Sequence, residues 1–130
     1  MAATGTCTTS AWKMQGIRGI TFTWESDSGG IVTDVTCLTG VTGILKNSLV
    51  YPSQASGYVP DSGFDCYLFN ADSFDLFNGV QINQTDLPKN WAKTLSYTNS
   101  SQVLLVNETM RLHIENVGNN RRGYVVVTLE

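Results

Sequence analysis

Hydrophobic and polar residues alternate along much of this chain with a period of two, the spacing of a half-buried β-strand. In Gly19–Glu25, Ile20, Phe22 and Trp24 share one face while Thr21, Thr23 and Glu25 share the other. Ser26-Asp27-Ser28-Gly29-Gly30 has the composition of a turn. The β-branched run Ile31–Leu38 reads as the next strand, closed by Thr39-Gly40. Val41–Tyr51 fits a short helix or a strand; with β neighbours and no helix cap, a strand is expected. Phe64–Phe69 is another strand, followed by a turn at Asn70–Ser73 and the short apolar segment Phe74–Phe77. Gln102–Val106 and Thr109–Glu115 come next, parted by a turn at Asn107-Glu108, with Met110, Leu112 and Ile114 on the inner face. Asn116–Asn120 supplies residues that tolerate positive φ, so Thr109–Glu115 and Gly123–Leu129 are expected to form a hairpin. Seven or eight strands without a convincing helix predict an all-β domain over residues 16–130. The expected architecture is an antiparallel β-sandwich or barrel, of the jelly-roll or immunoglobulin-like kind.

Three stretches break the alternation. Pro52–Gly63 and Gly79–Trp91 read as long loops, and long loops in a compact domain carry contacts. Met1–Gln15 is polar, Thr-rich and without a period, yet it holds Trp12, so it is expected to be an extended N-terminal arm. Burying the indole's roughly 200 Å² cannot offset the ordering of a dozen backbone residues, so the arm would order by adding a strand to another subunit. Deleting residues 1–15 would then leave the rest folded. Trp12, Tyr58 in the first loop and Trp91 at the end of the second are the candidate protein-interface residues.

Composition narrows the function. Hydrophobic residues make up 42% of the 130, enough for one core, and charged residues only 15%, against roughly 25% in an average soluble domain. The polar surface is therefore largely Ser, Thr and Asn. A net charge of −3 argues against a nucleic-acid partner, and no apolar run approaches the roughly 18 residues of a membrane span. Met1–Gly5 has neither the basic nor the apolar region of a signal peptide, so synthesis in a reducing compartment is expected.

Candidate chemistry is sparse. Cys7, Cys37 and Cys66 have no CxxC spacing, and Cys37 and Cys66 are expected to be buried free thiols. His113, the single histidine, shares its face with Arg111 and Glu115, and no nucleophile motif accompanies it. Asp61, Asp65, Asp72 and Asp75 lack the order of a calcium loop and are expected to cap turns. The Arg121-Arg122 doublet is expected to be solvated. Neither catalysis nor a cofactor or metal is expected. Trp12, Trp24 and Trp91 leave a carbohydrate-binding module as an alternative, by stacking on sugars.

Two segments carry a resemblance. Gly63-Phe64-Asp65-Cys66-Tyr67-Leu68-Phe69-Asn70-Ala71-Asp72-Ser73-Phe74-Asp75-Leu76-Phe77-Asn78-Gly79-Val80-Gln81-Ile82-Asn83, and the closing pattern from Met110 to Val127, resemble small structural proteins of tailed bacteriophages. Their sequences tend to run YD-x-x-L-x-D-x-D-G-x-D-x-L-x-G and to end in a hairpin of the type L-x-L-x-I-x-N-x-G-x-x-K/R-x-G-x-V-x-V. Phe64 stands where Tyr is usual, and Ser73-Phe74 replaces the usual turn Gly. The resemblance covers residues 16–130 and implies a virion component assembled in the host cytoplasm, a decoration or cement protein on the capsid. Its partners would be the major capsid protein or other virion proteins, with a homo-oligomer, a trimer above all, as the assembled form. A neck, tail or fibre position is the alternative within the same class. The resemblance carries over no catalytic residue.

Overall fold

The alternation becomes an antiparallel sheet that curls on itself. The computed structural model describes residues 5–77, 79, 81, 84, 93–94 and 103–130. Among them are β1 (Thr6–Met14), β2 (Ile17–Glu25), β3 (Val32–Pro52), β4 (Asp65–Phe69), β5 (Lys93–Thr94), β6 (Val103–Glu115) and β7 (Arg122–Leu129), and no helix. The order across the sheet is β1-β2-β7-β3-β6-β4, with β5 paired to β3.

β3 is the element that bends the sheet. Its first half pairs β6, from Val32↔Ile114 to Leu45↔Val103, and its second half pairs β7, from Leu45↔Leu129 to Pro52↔Gly123. Sequence reading breaks this strand at Thr39-Gly40, but the chain runs straight through. Gly40, at φ 72°, makes a bulge instead of a turn, and the register against β6 shifts on both sides of it. Each extra residue of a bulge turns the strand and increases its twist. Asn107 does the same for β6: its φ of 49° and its backbone N–H, held by Thr42 Oγ1 at 3.0 Å, absorb one residue where a turn is expected. The two expected strands on either side of it are one.

The curl brings the inward rows together. Ile20, Phe22 and Trp24 of β2 and Val125, Val127 and Leu129 of β7 join Cys66 and Leu68 of β4 and Met110, Leu112 and Ile114 of β6 in one buried cluster. Trp24 meets Phe64 with ring centroids 6.1 Å apart. The free edge of β4 is covered too. Leu76 donates to Leu68 O at 2.7 Å, Cys66 to Gln81 O at 3.0 Å and Gln84 to Phe64 O at 2.7 Å. Asp75 ties this cover down, accepting from the backbone N–H groups of Leu68, Phe77 and Gly79 at 3.2, 3.0 and 2.9 Å. That is the turn-capping role expected of an aspartate in this segment.

The expected arm is a strand of the chain's own sheet from Thr6 to Met14. β1 pairs β2 residue for residue, from Thr6↔Glu25 to Met14↔Ile17, around a turn whose Gln15 and Gly16 both have positive φ. The row paired with Trp24, Phe22 and Ile20 is Cys7, Thr9 and Ala11, the first two half-buried and Ala11 exposed. These side chains are too small and too weakly apolar to show an alternation, which is why the sequence hides the strand.

The cysteines divide. Cys66 is fully buried as expected, but Cys37, like Cys7, is only half-buried. Burial, and then the nearby Asp75 carboxylate, push the Cys66 thiol well above its ordinary pKa. A thiol reagent acts on the thiolate, so Cys66 should stay unmodified by Ellman's reagent at pH 8 until denaturant is added. Modification of Cys66 in the native protein as fast as in a free peptide would overturn its place in the core.

Candidate interaction face

The outward rows of β1, β2, β7 and β3 form a continuous surface. Strand registry lines up Thr8, Thr23, Tyr124 and Tyr51 in one row across the four strands. Ser10, Thr21, Val126 and Leu49 form the second row, and Trp12, Gly19, Thr128 and Asn47 the third. None of these twelve positions carries a charge. Beyond the first row lies the Glu25–Arg122 ion pair, and beyond the third the Lys46–Glu130 pair at 3.0 Å. Charges thus frame the face at both ends.

Exposed apolar residues flank the Lys46–Glu130 pair. Met14 is registered opposite Ile17, and Ile44 opposite Leu104. Ile44 also exchanges both backbone hydrogen bonds with Glu130, at 3.1 and 2.9 Å. Met14, Ile17 and Leu104 are 62%, 51% and 62% exposed. Val106, outward on β6 next to Leu104, is 68% exposed. Glu130 lies between Ile17 and Ile44 along this line, so the exposed apolar side chains form two groups beside the uncharged face, Met14 with Ile17 and Leu104 with Val106.

At the opposite end the face deepens into a groove of about 530 Å³, lined by Thr8, Thr23, Tyr124, Tyr58, Arg122 and Ala55 among others. Tyr58 forms its wall: the Arg122 guanidinium lies 3.8 Å from the centre of the Tyr58 ring, a cation–π contact. Glu25 accepts from Arg122 Nε and holds that guanidinium's pKa up. Arg121 donates to Gly57 O at 2.9 Å and lies 4.0 Å from Asp61. The arginine doublet, expected to be solvated, therefore fastens the 53–61 loop to β7. Tyr124, half-exposed at 50%, is the groove's open aromatic floor.

Two of the three expected interface residues, Tyr58 and Trp12, have a definite place. Tyr58 lines the groove. Trp12 lies on the same face but is spread over its own chain: its ring fills the space that a side chain at Gly19 would need, and Nε1 donates to Thr21 Oγ1 at 3.1 Å. An aromatic side chain laid across a cross-strand glycine restores the packing that the glycine lacks. Trp91 falls outside the described residues. Trp24 is buried, so it offers no sugar platform. Sequence reasoning missed Tyr124, whose signal was its outward register in a strand with an otherwise apolar inner row.

A second cluster sits on the outer face of β4 and β6. Tyr67 and Phe69 stack with centroids 5.5 Å apart and planes 6° apart, and His113 tilts against both. His113 keeps the expected polar row, with Nε2 2.8 Å from Glu115, but the two rings leave its side chain only 16% exposed. Arg111 reaches across to the turn at residues 70–73, donating to Asn70 O and Ser73 Oγ, both at 2.9 Å. Among the described residues, no three His, Cys, Asp or Glu side chains are grouped to hold a metal ion.

No family model, no curated protein and no solved structure matches this chain. The function must be argued from the surface itself.

Proposed function

We propose that this chain is a structural protein of a bacteriophage virion, a capsid decoration protein that cements the shell through the outward face of β1, β2, β7 and β3. The observation that carries this reading is the charge-free field of twelve positions, framed by ion pairs, with exposed Met14, Ile17 and Leu104 around the Lys46–Glu130 pair. Interface cores are depleted in charge, enriched in Tyr, Trp and Met, and rimmed by polar groups. Four strands about 4.8 Å apart and three rows about 6.8 Å apart give roughly 400 Å². The exposed apolar residues around the Lys46–Glu130 pair bring this nearer to the roughly 800 Å² that each partner gives to a standard interface. The resemblance of residues 63–83 and 110–127 to tailed-phage structural proteins supports the same assignment. In this reading the curled sheet is a sandwich of the jelly-roll or immunoglobulin-like kind, the partner is the major capsid protein, and the protein decorates as a trimer.

Rebinding to shells stripped of the protein tests the face. Tyr124→Glu places an added charge on the groove floor, where an interface would desolvate it, so binding should weaken at least ~10-fold, about 1.4 kcal/mol. Tyr124 is half-exposed, so the variant should melt like the wild type. Asp72→Lys, on the exposed turn away from this face, should rebind normally. Undiminished rebinding of Tyr124→Glu would remove this surface from the contact.

The Tyr67–Phe69 stack, with Asp65 and Glu115 at its end of the β4–β6 pair, favours carbohydrate binding as a second reading. Glycan binding lost in Tyr67→Ala but kept in Tyr124→Glu would select it.

A further inference from the structure

β1 is the outermost strand of the sheet: its ladder is with β2, and none joins it to β3 among the described residues. Its first residues touch β3 all the same. A Cβ added to Gly5 would lie 3.2 Å from Val32 Cα, and Thr9 Oγ1 donates to Cys37 O at 3.4 Å. Beyond Thr9 lies a cavity of about 440 Å³, with Ala11, Trp12 and Lys13 on one wall and the Gly40 bulge on the other. Its floor is core: Ile20, Val41 and Leu129 are buried, and Leu38 packs against the same cluster. Lys13 and Arg18 carry its charges. They are registered opposite each other, the next pair on the same side of β1 and β2 after Ala11 and Ile20. Among the described residues that line the cavity, none is acidic. We propose that it binds a single-chain amphipathic carboxylate, such as a medium-chain fatty acid, with the tail on the apolar floor and the carboxylate between Arg18 and Lys13. The proposal does not rest on the capsid reading.

Size, charge and anchoring all point to that class. Small-molecule sites are concave and mostly apolar, of roughly 300–1,000 Å³, with a few polar groups that fix the ligand's orientation. Arg18 Nη2 donates to Thr42 O and to Glu130 O, at 3.2 and 3.3 Å. Those bonds hold the guanidinium at the end of the cavity, and both come from Nη2, which leaves Nη1 to a ligand. The Glu130 side chain pairs with Lys46 at 3.0 Å instead of with Arg18. A planar carboxylate matches the guanidinium, and the Lys13 ammonium adds a second charged donor. A neutral hydrocarbon would leave both cations without a counter-charge. A small inorganic anion would leave the floor of Ile20, Val41 and Leu129 wet. One molecule, anionic at one end and apolar along the rest, satisfies both halves of the site.

Calorimetric titration of the full-length protein with the straight-chain acids from hexanoate to dodecanoate, each below its micelle concentration, tests the site. One equivalent should bind, with affinity rising about fourfold per added CH₂ until the tail outgrows the cavity. Decanol, with the same tail and no charge, should bind at least ~10-fold more weakly than decanoate. Arg18→Gln should weaken decanoate binding by at least ~10-fold as well. Ala11 is exposed and lines the cavity, so Ala11→Trp should fill the space, abolish binding and leave the melting temperature unchanged. In amide NMR spectra of the wild type, decanoate should shift Ala11, Gly19, Gly40 and Thr42 and leave Tyr67 and Tyr124 in place. Failure of every one of these acids to bind would overturn the proposal. So would equal binding of decanol and decanoate, undiminished binding by a folded Ala11→Trp, or amide shifts centred away from this cavity.

Discussion

Replacing Trp24 by alanine should destabilise the domain by about 4 kcal/mol, the cost of a large cavity in a close-packed core. Trp24 is 1% exposed and stands where the two halves of the curled sheet meet, against Phe64 from the approach to β4 and under Gly123 of β7. A Cβ at Gly123 would lie 2.6 Å from the indole and 2.8 Å from the Tyr51 carbonyl, so the glycine exists to admit the ring. The indole N–H has no hydrogen-bond partner among the described residues, and the loss is therefore one of packing alone. For a chain of 130 residues, this corresponds to a fall of roughly 15 °C in melting temperature. Urea unfolding followed by far-UV circular dichroism measures it. A loss below about 1 kcal/mol would show that the ring is not at the junction of the core.

Deleting residues 1–14 should do more. The truncation removes the nine-residue strand β1 and uncovers the edge of β2, where Cys7, Thr9 and Ala11 face Trp24, Phe22 and Ile20. A small domain has only about 5–15 kcal/mol of stability, and losing a whole edge strand with its ladder takes most of it. The truncated protein should lose its cooperative melting transition and bind the dye ANS through exposed apolar surface. An arm that served only a neighbouring subunit would give the opposite result, a truncated chain melting cooperatively at the wild-type temperature.

How much of this was legible depends on contrast between the two faces of each strand. β2 and the Met110–Glu115 half of β6 have large apolar residues on one side and polar ones on the other, and the alternation places them well. β1 has Thr6, Thr8 and Ser10 outside and Cys7, Thr9 and Ala11 inside, a difference too small to read, so a strand looked like an arm. Gly40 and Asn107 have the composition of turns, but positive φ serves a bulge as well as a turn, and only the pairing of β3 with β6 decides between them. At the candidate face, Tyr58 could be chosen because it lies in a long loop. Tyr124 and the Arg122 contact could not, because they depend on which strand neighbours β7. The aspartate reading succeeded at Asp75 because its bonds to the Phe77 and Gly79 N–H groups are local chemistry, two and four residues along the chain.

The proposed capsid decoration is tested most directly by counting and placing the protein in virus particles from its source, using quantitative mass spectrometry and a cryo-EM map of the same preparation. Decoration predicts on the order of hundreds of copies on the outer shell, in symmetric clusters, with Tyr124 and the uncharged face turned toward the capsid. A particle that lacks the protein, or carries about a dozen copies in a ring at the neck, would contradict it.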